Sequence, residues 1–403
     1  MLAAAYANGA HAADDSSPIR LGFLTIHSGA LAAGGRQMEE GLRVFLQERH
    51  NAIAGRQVKL FVADTAGQPA VTKSKTQELV EKDGVQVIIG PLAAFEALAI
   101  NDYIEKKQIP IISPSAAAED LTQRKRNPWF VRAVGSSAQP MQPLGDYAAK
   151  DLHYKKVATI ADDFAYGYES IAGFQRTFEQ NGGEVVQKLW APLNVADYGT
   201  YISEIDPKVD AVLIGFAGSN SVRFLKQYAA YGMKGKIPVI AGMIATDEGI
   251  LKKMGNEAVG IISAGWYAAT IDNPANKRFV KEMNAEYKED PGYYSVGAYG
   301  ACLMLEQALK SVHGNIEDKN AFMNALRHVH VADDPRGDIK LDSYGNPIMN
   351  VYIRKVERQN GKLVNAIIKT YPAVSQFWTY DPAKFLAHPV YSRDYPPAKF
   401  LEK

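Results

Sequence analysis

Two short apolar runs constrain the fold of this chain most. The first is Val87, Ile88 and Ile89, stopped by Gly90 and Pro91. The second is Ile109, Pro110, Ile111 and Ile112, stopped by Ser113, Pro114 and Ser115. Each is a β-branched run ending at Gly, Pro or Ser, with a helix-forming segment expected after it. A parallel strand hands over to a helix in this way in an open α/β sheet. Ligands of such sheets bind beyond the carboxyl ends of the strands. Small residues there leave helix N-terminal N–H groups open to an anion. These turns therefore point to a small-molecule site that favours a carboxylate.

The rest of the chain extends this pattern. Arg20 to Ile26 reads as a first buried strand, and Met38, Leu42, Phe45 and Leu46 fall on one face of a following helix. Val58 to Ala63 is a second strand, so the first part reads βαβαβαβ, a doubly wound parallel sheet. The pattern restarts after residue 138. Val157 to Ile160, Val185 to Leu189, Ala211 to Ile214, Val239 to Ala241 and Ile261 to Ser263 are strands with helical segments between them. Tyr293 to Val312 reads as one long helix. Asn350 to Val356 and Leu363 to Lys369 read as a hairpin around Asn360 and Gly361. The stretch from Gln376 onward is rich in aromatics and proline, and is expected to lie over the surface as an irregular strap.

With 403 residues the chain exceeds what one core usually organises. A net charge of +1 gives no reason to expect nucleic acid or an acidic membrane as a partner. Cys302 is the single cysteine, which rules out an internal disulfide and a multi-thiolate metal site. Ala10, His11 and Ala12 before Ala13 fit the small-x-small pattern of an export cleavage site. Residues 1–17 thus read as the remnant of an export signal or as a disordered leader.

The order of several segments resembles the type 1 periplasmic binding proteins, above all the leucine/isoleucine/valine-binding branch that serves ABC importers. Ile19 to Leu24 (IRLGFL) is followed by Ser28 and Gly29; then come Ile89, Gly90 and Pro91; Ile109 to Ala116 (IPIISPSA) precedes Asp120, Leu121 and Thr122; and Asp162 and Asp163 precede Tyr166 and Gly167. The resemblance covers Ile19 to about Lys369. It implies two doubly wound, Rossmann-like α/β lobes joined by three crossovers, with ligand held in the cleft. By that analogy the crossings fall near 135–140, 263–268 and 342–348. Lobe 1 is then 18–137 with 267–342, lobe 2 is 138–266 with 343–380, and 381–403 is the strap.

The departures from the family carry the ligand argument. Amino-acid binders of this branch hold the ligand with hydroxyl side chains after the third and fourth strands and an acid from lobe 2. Here the matching positions are Ala94, Ala117 and Met243, although Ser115 keeps a hydroxyl near the second of them. The covering ring is retained at Tyr294, and the disulfide often seen is lost at Gly67 and Ala93. A buried ammonium without a counter-charge costs several kcal/mol. The site therefore looks built for an acid without an α-amino group. Met243, Phe216, Tyr166 and Tyr294 would favour a flat apolar body such as a benzoate or a cinnamate-like acid.

Each candidate also has a plainer role open to it. Ser113 and Ser115 cap a following helix, contact ligand, or do both. Tyr166, Phe216, Met243 and Tyr294 are core residues or cleft walls. His27, just after the first strand, reaches the cleft or is simply solvated. No phosphate loop, dinucleotide motif or nucleophile elbow is legible, so neither chemistry nor a cofactor is expected. The expectation is an exported, periplasmic, monomeric solute-binding protein that delivers a small carboxylate to a membrane permease. A branched-chain or aromatic amino-acid binder, and a sensing module for a signalling partner, are the alternatives.

Overall fold

The computed structural model describes residues 17–399, so the N-terminal leader, but for Ser17, and the last four residues of the strap lie outside the described residues. Strands β1 (Ile19–Thr25), β2 (Ala52–Ile53), β3 (Arg56–Asp64), β4 (Val87–Ile89), β5 (Ile111–Ser113) and β6 (Phe130–Arg132) form a first sheet in the order β2-β3-β1-β4-β5-β6. Apart from β2 the neighbours are parallel. The residues of β4 and β5 are fully buried. Helices cover both faces of such a sheet, which is why these strands read as unbroken apolar runs.

A second sheet contains β7 (Lys156–Asp162), β8 (Glu184–Ala191), β9 (Ala211–Gly215), β10 (Val239–Gly242) and β11 (Ile262–Gly265), and also β12 (His330–Asp334), β13 (Gly337–Leu341), β14 (Pro347–Gln359) and β15 (Lys362–Val374). Its order is β12-β13-β14-β11-β10-β9-β7-β8, with β15 beside β14. β14 runs antiparallel to β11 and turns into β15 at Asn360 and Gly361. Both turn residues have positive φ, 49° and 81°, as a tight two-residue hairpin requires.

The chain passes between the sheets three times. It leaves the first sheet after β6 and builds β7 to β11. It then returns as helices Pro274–Tyr287 and Tyr293–Ser311, which pack against helix Ala32–Glu48 on the first sheet. It finally re-enters the second sheet through β13 and β14. Cys302 is buried within helix Tyr293–Ser311, among Leu305, Phe45 and Phe322 of the same core.

Three features differ from the sequence-based expectation. β6 and the β12–β13 hairpin are additional strands. No regular helix follows β5; residues 114–118 are irregular and lead to one short 3-10 turn, Glu119–Thr122. The cause is the buried Arg132 guanidinium at the end of β6, which donates to the carbonyls of Ala116 and Ala118 and to Thr122 Oγ1. The strap includes a short helix, Pro382–Ala387, and is well packed. Its Phe377, Phe385 and Tyr391 bury against Ala138 and Ala172. Arg124, from a basic run that reads as solvated, donates to the strap at His388 O over 2.7 Å.

Candidate functional site

The carboxyl ends of β4 and β5 face those of β7, β9 and β10 across a cleft, and the cleft holds about 340 Å³ of atom-free space. Each turn contributes small or apolar residues: Leu92, Ala93 and Ala94 after β4; Ser115 and Ala117 after β5; Phe164 and Tyr166 after β7; Ala217 after β9; Ile244 after β10. Leu31, Tyr293 and Tyr294 complete the wall from the first lobe. Behind this lies a narrow inner chamber, which shares Ala117, Tyr166, Ile244 and Tyr293 and adds Met243, Trp266, Ser137 and Ser170. A larger groove of about 1290 Å³ runs between helix Pro274–Tyr287 and the β14–β15 hairpin. It is lined by charged side chains and takes nothing from the turns after β4, β5, β7 and β9. The cleft is therefore the candidate site.

The first-lobe lip is suited to an anion. Ala94 opens helix Ala94–Lys107, and Ala93 N donates to Glu96 Oε2 over 2.9 Å. The next amides, of Ala94 and Phe95, have no acceptor within the helix. They lie at its positive end. Opposite them Ser115 O accepts from Tyr293 Oη at 2.7 Å, and Ser115 is part of the cleft wall. Tyr293 and Tyr294 meet edge to face, with ring centroids 4.7 Å apart. Gly34 makes room for them: a Cβ there would lie 2.8 Å from the Tyr294 ring.

No charged side chain lines the outer chamber. The carboxylates near it are committed elsewhere. Asp162 accepts from Ala217 N and Asn220 Nδ2 at 2.8 and 2.7 Å, and burial pushes its carboxyl up to about 7. Asp247 accepts from Gly249 N, from Tyr293 N and from Gln37 Nε2, at 3.0, 2.5 and 3.1 Å. The last two donors belong to the first lobe, so this acid bridges the lobes. Arg354 on β14 ties the turn after β10 to the segment after β11, donating to Met243 O at 3.1 Å and to Tyr267 O at 2.7 Å. The lobes also touch at Gly218, whose φ of 57° suits glycine, and where a Cβ would fall 2.3 Å from Ala30 O.

Six of the nine residues singled out in the sequence line these chambers. Ala94, Ser115, Ala117, Tyr166 and Tyr294 line the outer one, and Met243 the inner. The other three lie elsewhere. Ser113 is buried at the end of β5, with its hydroxyl closing a turn onto Ala116 O at 3.0 Å. Phe216 turns into the second-lobe core against Tyr198 and Phe224, each 5.1 Å away. Its neighbour Ala217 takes the cleft side, as the alternation of extended chain dictates. His27 is 41% exposed at its side chain and pairs with Glu39 at 3.0 Å. Leu31, Leu92, Phe164, Ala217, Ile244, Tyr293 and Trp266 had no chemical signal to single them out; position after a strand end was the available one.

The match of residues 18–362 to the family model described as "Periplasmic binding protein" decides the relationship. The chain belongs to the periplasmic binding protein family. Among curated relatives, the Leu/Ile/Val-binding protein homolog 6 of Brucella melitensis is 26% identical over 361 residues, 88% of this chain and 91% of the relative. Among solved structures, an ABC transporter substrate-binding protein from Sphaerobacter thermophilus is 31% identical with a TM-score of 0.84, covering 89% of this chain and 99% of its own. A solute-binding protein of an ABC transporter from Rhodopseudomonas palustris, solved with 3,4-dihydroxybenzoic acid, is 31% identical with a TM-score of 0.85, covering 89% and 98%. No helix among the described residues of this periplasmic binding protein is long and apolar enough to cross a membrane.

A pH dependence follows from a buried acid pair beside the inner chamber. Glu169, on helix Ala165–Gln180, accepts from Glu119 N at 3.1 Å, and Glu119 accepts from Ser136 Oγ at 3.2 Å. Arg132, Arg124 and Asp120 face the pair. Burial nonetheless dominates, lifting Glu119 to about 7 and Glu169 well above the carboxylate range. A carboxyl that holds its proton more tightly when folded contributes most at low pH. That contribution declines as pH rises from about 4.5 through about 7. Melting temperature is expected to fall between pH 5.5 and 8, and Glu169→Gln should flatten the slope. An identical slope in the variant would exclude the pair as its source.

Proposed function

We propose that this protein is the extracytoplasmic receptor of an ABC importer and that its ligand is a small aromatic carboxylate. The lobes, divided as 18–137 with 267–342 and 138–266 with 343–380, close over the ligand and present it to a membrane permease, with the protein acting as a monomer. The observation that carries this reading is the chemistry of the outer chamber. It offers helix amides and the Ser115 hydroxyl to an anion and aromatic walls to a ring. It offers no carboxylate to an ammonium. Desolvating an unpaired ammonium there would cost several kcal/mol. The ligand of the Rhodopseudomonas palustris relative, 3,4-dihydroxybenzoic acid, is of the same class.

Ser115 and the amides at Ala94 hold the carboxylate. Tyr294, Phe164 and Tyr166 enclose the ring, and Ala117 and Met243 leave room where amino-acid binders place polar groups. A thermal-shift panel of benzoate, 4-hydroxybenzoate, cinnamate, leucine, valine and phenylalanine tests the reading. A ligand at 100 times its dissociation constant adds about 2.7 kcal/mol of stability. Aromatic acids are expected to raise the melting temperature more than any amino acid at equal concentration. A clear win for leucine, valine or phenylalanine would establish the amino-acid reading instead.

A further inference from the structure

One residue of the inner chamber's lining carries a buried hydrogen-bond donor that the protein itself does not use. Trp266 directly follows β11 and is 3% exposed. Its indole Nε1–H donates to no protein atom among the described residues. Its ring packs against Tyr293, with centroids 5.5 Å apart. The surrounding wall is mostly apolar, and the Ser170 hydroxyl is the other buried polar group in it without a hydrogen-bond partner among the described residues. The side chains of Met141, Met243, Pro140 and Ile244 bring no strong acceptor, and the Ser137 hydroxyl donates its proton to Ala117 O at 3.0 Å. Ser170 lies beside the Tyr166 hydroxyl.

We propose that Trp266 reads the far end of the ligand and selects an oxygen-bearing substituent, a phenolic hydroxyl or a methoxy group. This rests on the aromatic-acid reading of the outer chamber. The two chambers share Ala117, Tyr166, Ile244 and Tyr293, so a ring anchored by its carboxylate at Ala94 and Ser115 extends between the two tyrosines toward Trp266. An indole N–H only donates, so it rewards an acceptor and gains nothing from a methyl group. A hydrocarbon substituent keeps the donor buried and unpaired, which is the costlier outcome.

Calorimetric titration of wild type with benzoate, 4-hydroxybenzoate and 4-methylbenzoate tests this. The hydroxyl compound is expected to bind about tenfold more tightly than its methyl isostere. Trp266→Phe should remove that preference while leaving the affinity for 4-methylbenzoate within about threefold, as expected where only the unused N–H is lost. Ser170→Ala should keep the preference. Equal binding of the two compounds by wild type, or loss of the preference in Ser170→Ala, overturns the assignment to Trp266. The wild-type and Ser170→Ala arms decide the matter even if Trp266→Phe does not fold. Failure of all three acids to bind would instead remove the reading of the outer chamber, and this inference with it.

Discussion

Asp247→Ala is expected to weaken ligand binding by about a hundredfold. Asp247 sits on the turn after β10, in the second lobe, yet two of its three partners belong to the first. Tyr293 N, at the start of helix Tyr293–Ser311, donates to Oδ1 at 2.5 Å, and Gln37 Nε2 donates to Oδ2 at 3.1 Å. A carboxylate at a helix N-terminus also meets the positive end of its dipole. Hydrogen bonds to a charged group are typically worth about 1.5–3 kcal/mol each. Losing two contacts that exist only with the lobes together therefore costs about 3 kcal/mol, or a hundredfold in affinity. Burial raises the carboxyl's pKa and offsets part of this. Asp247→Asn keeps one acceptor oxygen and should fall in between. Calorimetry gives the affinity, and small-angle scattering at saturating ligand gives the radius of gyration, which should be larger in the alanine variant. Wild-type affinity in Asp247→Ala would show that the bridge does not contribute to closure.

Arg336→Ala should destabilise the protein by about 3–5 kcal/mol, the usual cost of leaving one member of a buried ion pair alone. Arg336 and Asp334 are each 1% exposed at the side chain and form a two-pronged pair, with Nε to Oδ1 at 2.7 Å and Nη2 to Oδ2 at 2.6 Å. The remaining arm, Nη1, donates to Ala133 O at 2.6 Å. Tyr352 Oη donates to Arg336 O at 2.8 Å. One residue thus ties the β12–β13 turn to the segment after β6 and to β14. Of these, the segment after β6 is where the chain leaves the first sheet. Urea unfolding measures the loss. Because the partners form one unit, the double variant Asp334→Ala with Arg336→Ala should lose clearly less than the sum of the single losses. Additive losses would mean that the pairing contributes little and that the contact with Ala133 O dominates.

What was legible in the chain divides along physical lines. Strands buried on both faces announce themselves, so Val87–Ile89 matches its expected bounds residue for residue. The hairpin turn at Asn360 and Gly361 was equally plain, since positive φ at two successive residues restricts the sequence strongly. β6 was not legible: it is three residues long and ends in an arginine. β12 and β13 alternate with charged residues, and Asp333, Asp334 and Pro335 read as a turn before the pairing of Asp334 with Arg336 is known. The site shows the same division. Ser115 and Tyr166 follow from strand-end positions, and Tyr294 from the family resemblance. Phe216 fails by one step of alternation, which exchanges it for Ala217. Arg132, Arg336 and Arg354 were invisible because an arginine in a sequence reads as surface. Their burial rests on carbonyls far away along the chain, which only the fold brings together.

The position of helix Tyr293–Ser311 has a consequence for how the protein comes into being. It packs with strands from the beginning of the chain, and β14, which lies beside β11 in the second sheet, comes later still. A ribosome delivers these segments in order. While residues 19–132 are out, the apolar face of Phe23, Val87 and Ile89 has helix Ala32–Glu48 on it but still lacks helix Tyr293–Ser311. While residues 156–265 are out, β11 has no outer neighbour. The core that joins helix Tyr293–Ser311 to the first sheet cannot be completed until most of the chain has been synthesised. Nascent domains with exposed apolar faces depend on chaperones rather than settling early. Such interleaving of early and late segments delays completion of the fold to the end of synthesis.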